Sequence, residues 1–245
     1  MDYNIVDIDY KILSDRAYKD YQIGERIERE WQVIEVWDDQ DKNGMQAFAV
    51  APLDVNGKPE YNHIIISYRG TEGDTLFSDP LEFGRDIKTD IKHVFGGSKT
   101  TLETIGVPGT TVKIRVPKED LGQFGSGLTF AEEIANKYPN AYIETTGHSL
   151  GGGIAMLVAV EFDFTSNVFA APNVYRLLSD EGKAKVDAGL TQDHIQNYVH
   201  DNDVIGNFDQ FGAPLVSENH FTRRNKEAEG ALTSFFGIGG HLLGT

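Results

Sequence analysis

Two rhythms of apolar and polar positions run along the chain. Residues 63–68 hold Ile64, Ile65 and Ile66 in one unbroken apolar run, the pattern of a strand buried on both faces. Residues 31–37 alternate, 38–44 are turn-rich, and 45–51 return, which predicts a hairpin. Residues 141–146, 167–171 and 195–200 read as further short strands, the second stopped by Pro172. A strand near an edge is expected over 112–116. Helical spacing appears over 5–21 (Ile8, Ile12, Leu13, Ala17), over 130–137 with a start as early as Gly125, over 150–162 and over 180–188. The third of these is small and apolar throughout. Residues 72–85 are irregular, and 86–95 read as a short helix. Strand and helix alternate through the middle of the chain, which predicts an α/β fold with a parallel or mixed sheet and helices on its faces.

Length sharpens this to one large core. A chain of 245 residues, 40% hydrophobic, with no Pro/Ser-rich linker and no repeat, is expected to form a single domain over residues 1–245. The charge narrows the partners. Asp and Glu number 38 against 22 Lys and Arg, a formal net charge of −16, so nucleic acid is excluded as a natural partner and anionic lipid is a poor electrostatic match. There is no cysteine, hence no disulfide or thiolate metal site. The first ten residues lack the basic start and apolar run of a classical signal peptide. No run of about 18 apolar residues occurs, so membrane contact is expected to be peripheral only.

Candidate chemistry concentrates at Gly147-His148-Ser149-Leu150-Gly151, between the strand at 141–146 and the helix at 150–162. This is the strand–turn–helix setting that the G-x-S-x-G nucleophile motif requires. A tight turn raises the Ser149 hydroxyl at the C-terminal edge of the sheet, and the helix N-terminus presents free N–H groups to a reacting oxygen.

Thr146-Gly-His-Ser-Leu-Gly-Gly152 resembles the elbow of the class 3 lipases, the fungal-type triacylglycerol lipases and related bacterial lipases and phospholipases. Ser67-Tyr-Arg-Gly-Thr71 resembles the oxyanion segment of that family, and Val168-Phe-Ala-Ala-Pro-Asn173 its strand after the elbow helix. Asn202-Asp-Val204 is similar to its acid turn and Gly240-His-Leu-Leu243 to its histidine segment. The likeness runs from about Ile64 to the C-terminus, and the first sixty residues carry no matching motif. It implies an α/β-hydrolase fold, with a central mostly parallel sheet and helices on both faces.

A serine hydroxyl needs a base, and the base needs a carboxylate to orient it; in α/β-hydrolases both follow the serine in the chain. Asp203 and, less well matched, Asp201 follow the strand at 195–200. Gly206 departs from the family, whose members often carry Pro there. His241 is favoured as the base over His220, which is expected on a surface loop beside Arg223 and Arg224. His200 precedes the acid, and His148 is expected to pack beneath the elbow. The oxyanion donors implied are the Leu150 N–H and Thr71, with Arg69 and Gly70 structural. Leu76, Phe77, Leu81 and Phe83, in the poorly patterned stretch after Thr71, are where related lipases keep a lid. His241 lies so near the C-terminus that the natural chain is expected to extend past Thr245, making 1–245 its catalytic part.

The resemblance implies a serine hydrolase acting on carboxylic esters of lipids at an interface, phospholipase A-type favoured, with no metal and no organic cofactor. Related bacterial lipases include toxins secreted without a classical signal and neutralised by a partner protein, so secretion and a neutralising (immunity) partner are expectations, with a cytoplasmic location the alternative. A short-chain carboxylesterase or thioesterase, and a catalytically dead binding module, remain the competing readings.

Overall fold

The computed structural model describes residues 5–70, 100–106, 113–118, 121–201, 203, 205–207 and 212–222. Its centre is an eight-stranded sheet of order β1-β2-β3-β4-β7-β8-β9-β10. The strands are β1 (Arg26–Ile27), β2 (Trp31–Asp38), β3 (Gln46–Pro52), β4 (His63–Tyr68), β7 (Tyr142–His148), β8 (Thr165–Phe169), β9 (Ile195–His200) and β10 (Glu218–Thr222). From β1 to β4 neighbours run antiparallel, and from β4 through β10 every neighbour is parallel. All the parallel strands therefore end on one edge, where Ser149 and Asp203 follow β7 and β9.

The isoleucine run explains why β4 is central. Ile64, Ile66 and Tyr68 point into the larger core, while Ile65 points into the second core on the opposite face. Helix α1 (Asp7–Arg16) covers that second face with Tyr10 and Leu13. Helices α2 (Gln123–Lys137) and α3 (Leu150–Phe162) cover the first. A fourth helix, α4 (Asp180–Asp187), is capped by the Ser179 hydroxyl, which accepts from the Gly182 N–H at 3.0 Å. Every residue of α3 from Leu150 to Glu161 is buried, which accounts for a helix apolar on all sides.

Polar bonds fix α1 on the sheet. The carbonyls of Leu13 and Tyr10 accept from the Ser67 and Thr146 hydroxyls at 2.9 and 3.2 Å. The Tyr10 hydroxyl donates to the buried carboxyl of Glu144 at 2.9 Å, and His63 Nε2 meets the same carboxyl oxygen at 2.5 Å.

Several expectations need correction. The helix expected over 5–21 closes at Arg16, and residues 17–21 run on as turn and coil. The strand expected at 112–116 is β6 (Lys113–Pro117). It leaves the main sheet alone and pairs with β5 (Leu102–Gly106), which the apolar pattern did not mark. Glu132 of α2 accepts the Arg115 N–H at 3.1 Å, tying this ribbon to α2 instead of to a sheet edge. Helix α2 begins at Gln123, earlier than expected, because Phe124, Gly127 and Leu128 bury on the same face as Ala131 and Ile134. His220 is on no loop: it is in β10, which fits between Asp203 and the chain's last residues as a short parallel edge strand. The expectations for 72–85 and 86–95 lie outside the described residues.

Candidate active site

Ser149 stands between β7 and α3 with φ 58° and ψ −129°, a conformation that costs an L-residue about 1–3 kcal/mol. Its surroundings hold it there. Its N–H donates to the Phe169 carbonyl at the end of β8 (3.0 Å), and its carbonyl accepts from the Gly153 N–H (3.1 Å) as the first helical bond of α3. The glycines around it make room for backbone. A Cβ on Gly147 would lie 2.5 Å from the Gly151 carbonyl, and one on Gly151 would lie 2.2 Å from the Tyr68 carbonyl and 2.8 Å from the Gly70 nitrogen. The exit of β4 thus touches the start of α3 with no side chain between them. The first-turn N–H groups of α3, Leu150 first, have no carbonyl four residues back to bind. They bring partial positive charge to the place where an ester oxygen would become negative. Ser149 is 2% exposed and Leu150 5%.

Asp203 is fully buried beyond the end of β9, whereas Asp201 is exposed. One carboxylate oxygen, Oδ1, accepts from the N–H groups of Ile205 (2.9 Å) and Gly206 (3.0 Å). Asn207 staples the turn, its Nδ2 donating to the carbonyls of Asp203 (2.7 Å) and His200 (2.9 Å). With only β8 between them, β7 and β9 are about 10 Å apart.

Two of the described histidines, His220 and His148, are engaged otherwise. His220 stacks on Tyr198 (centroids 5.0 Å apart) and hydrogen-bonds Gln196, down the strand and away from the edge that carries Asp203. His148 lies beneath the elbow, its Nδ1 3.2 Å from the Tyr18 hydroxyl. Arg69 pairs with Asp20 at 3.4 Å and lies over the Tyr18 ring. Thr71, His241 and the residues expected in a lid, Leu76, Phe77, Leu81 and Phe83, lie outside the described residues. Among those described, Tyr18 and Asn207 were not marked by the sequence reading. Asn207 carried a faint signal as a side-chain amide four residues past the acid; Tyr18 carried none, since its partner is 130 positions away.

Residues 128–213 match the family described as Lipase (class 3). The chain resembles the class 3 lipases over that stretch. It contains the elbow and the acid turn and ends before His220 and His241. Among solved structures, the chain is similar to a mutant form of MDLA from Penicillium cyclopium (15% identity, TM-score 0.50, 92% of this chain and 81% of that one). It is also similar to a fungal lipase in complex with an inhibitor (16% identity, TM-score 0.50, 85% and 75%). A lipase–propeptide complex from Rhizomucor miehei aligns at 18% identity with TM-score 0.49, covering 83% of this chain; the chain spans 62% of its length. No curated protein matches the sequence. The fold is that of the α/β-hydrolases, with the parallel sheet and helices on both faces expected from the sequence.

Proposed function

We propose that this chain is a serine lipase, with Ser149 as nucleophile and Asp203 as the carboxylate of its charge pair. The observation that carries the reading is the strained, backbone-locked Ser149 on the same sheet edge as a buried Asp203, two strands away. The class 3 lipase match over these residues supports it. His241 is the base in this reading, because His220 is committed to Gln196 and Tyr198.

The Ser149 oxygen attacks the acyl carbonyl as its proton passes to His241, and Asp203 stabilises the imidazolium. The developing oxyanion is met by the Leu150 N–H and by Thr71. The imidazolium then protonates the departing alcohol oxygen, leaving an acyl-serine. Water, deprotonated by the same imidazole, attacks the ester, releases the fatty acid and returns the proton to Ser149. No other reactant is consumed. Phospholipids are the favoured substrate, by analogy with the related bacterial enzymes.

The test is fatty-acid release from a panel of phospholipids and acylglycerols, read by lipid mass spectrometry, alongside labelling with a fluorophosphonate. Wild type is expected to label at Ser149 and to release fatty acid. Ser149→Ala should lose both, release falling by about three orders of magnitude or more. Equal release by wild type and Ser149→Ala would end the proposal.

A further inference from the structure

We propose that Tyr18 is a positioning residue for the Ser149 reaction, its hydroxyl clamping Gly70 at the exit of β4 to His148, the residue before the nucleophile. The inference rests on the serine-hydrolase reading of Ser149.

Tyr18 lies in the short stretch after α1, in the part of the chain without a recognisable motif. Its hydroxyl is 3.2 Å from His148 Nδ1 and lies against Gly70. The three groups are in close contact. A Cβ on Gly70 would lie 2.6 Å from the Tyr18 oxygen and 2.5 Å from the His148 carbonyl oxygen. The ring is held from two sides, by the His148 imidazole at 6.2 Å between centroids and by the Arg69 guanidinium at 5.9 Å.

The direction of the bond follows from the donors. Burial pushes the Tyr18 phenol well above its ordinary range, so it stays protonated. The phenol can therefore donate to Nδ1 when the His148 ring proton is on Nε2.

The consequence is geometric. The oxyanion pocket of this fold lies between the chain leaving β4 and the first turn of α3, and its donors must hold about 2.7–3.1 Å from the developing charge. Gly70 belongs to the first wall, and His148 leads directly into the second. One hydroxyl that bonds His148 and packs against Gly70 sets their separation. Losing it leaves substrate contacts in place and loosens the wall that the transition state needs, so the effect falls on kcat and spares KM.

The experiment uses the full chain and a soluble short-chain nitrophenyl ester. Tyr18→Phe removes the hydroxyl and keeps the ring. We expect kcat to fall about tenfold, roughly the effect of one hydrogen bond, with KM within about twofold and a nearly unchanged melting temperature. His148→Asn, whose Oδ1 offers an acceptor near the place of Nδ1, should keep most of the activity. His148→Leu should fall as Tyr18→Phe does, and the two changes together should fall no further. Wild-type kcat in Tyr18→Phe, or losses that multiply in the double variant, would overturn the proposal. If Tyr18→Phe fails to fold, the His148 pair decides: equal kcat in the Asn and Leu variants overturns it. Wild type that resists a fluorophosphonate overturns the serine-hydrolase reading and this one with it, whereas labelled wild type with an indifferent Tyr18 overturns this one alone.

Discussion

At the scale of single residues, the acid turn shows how one backbone N–H can outweigh a family preference. Gly206 stands where class 3 lipases often carry proline. Here its N–H donates to Asp203 Oδ1 at 3.0 Å, and a Cβ would lie 2.6 Å from the buried Val199 Cγ1 and 3.2 Å from Asp203 Oδ2. Proline has no N–H to give and would bring its ring into that space. Gly206→Pro should therefore leave Asp203 with one backbone donor fewer and displace its carboxylate. We expect kcat for a soluble ester to drop at least tenfold and unfolding stability to fall by about 1–3 kcal/mol, in keeping with an overpacked buried site. A proline variant that matched or exceeded wild type in both would show that the N–H is dispensable and that the turn tolerates the ring.

At the scale of elements, α1 gains little from its own sequence and much from where it docks. The helix is ten residues long, mostly polar, and too short to be stable alone. Its capping is local, with Asp9 accepting the Val6 N–H at 2.9 Å, but its place is set by partners far along the chain: Glu144 for Tyr10, Ser67 for the Leu13 carbonyl. Tyr10→Phe should keep the ring in the second core and lose the bond to Glu144. A loss of about 1–2 kcal/mol in denaturant unfolding is expected, with helix content by circular dichroism unchanged. An unmoved midpoint would mean that His63 alone satisfies Glu144. The same long-range dependence decides what the sequence could disclose. Strand β4 and helix α3 were legible because they are buried and their apolar runs say so. The elbow was legible because its chemistry is packed into seven consecutive residues. By contrast β5 and β10 are short and largely polar, with Phe221 60% exposed, and pairing geometry instead of local composition makes them strands. Tyr18 and the β4 exit meet only once the sheet has formed, so no local pattern could announce them.

At the scale of the whole molecule, the formal charge of −16 acts on any membrane encounter before the site does. The parallel strands all end at the edge that bears Ser149 and Asp203, so under the proposed function a lipid substrate approaches that edge, and the protein brings its whole field with it. A vesicle with negative headgroups is repelled over a Debye length of about 30 Å at 0.01 M salt and about 8 Å at 0.15 M, whereas a zwitterionic vesicle is not repelled at either. Apolar insertion must then overcome a barrier at one surface and none at the other. Flotation of Ser149→Ala, which leaves the lipid intact, with phosphatidylcholine vesicles and with vesicles containing phosphatidylglycerol would read this directly. We expect stronger retention by phosphatidylcholine at low salt, and a difference that narrows as salt rises toward 0.15 M because screening removes only the repulsion. Stronger retention by the anionic vesicles at low salt would mean that a local cationic face, and not the net charge, governs the approach. Equal retention at every salt concentration would mean that insertion is too favourable for the field to matter, and in that case truncating exposed apolar side chains should weaken binding to both vesicles alike.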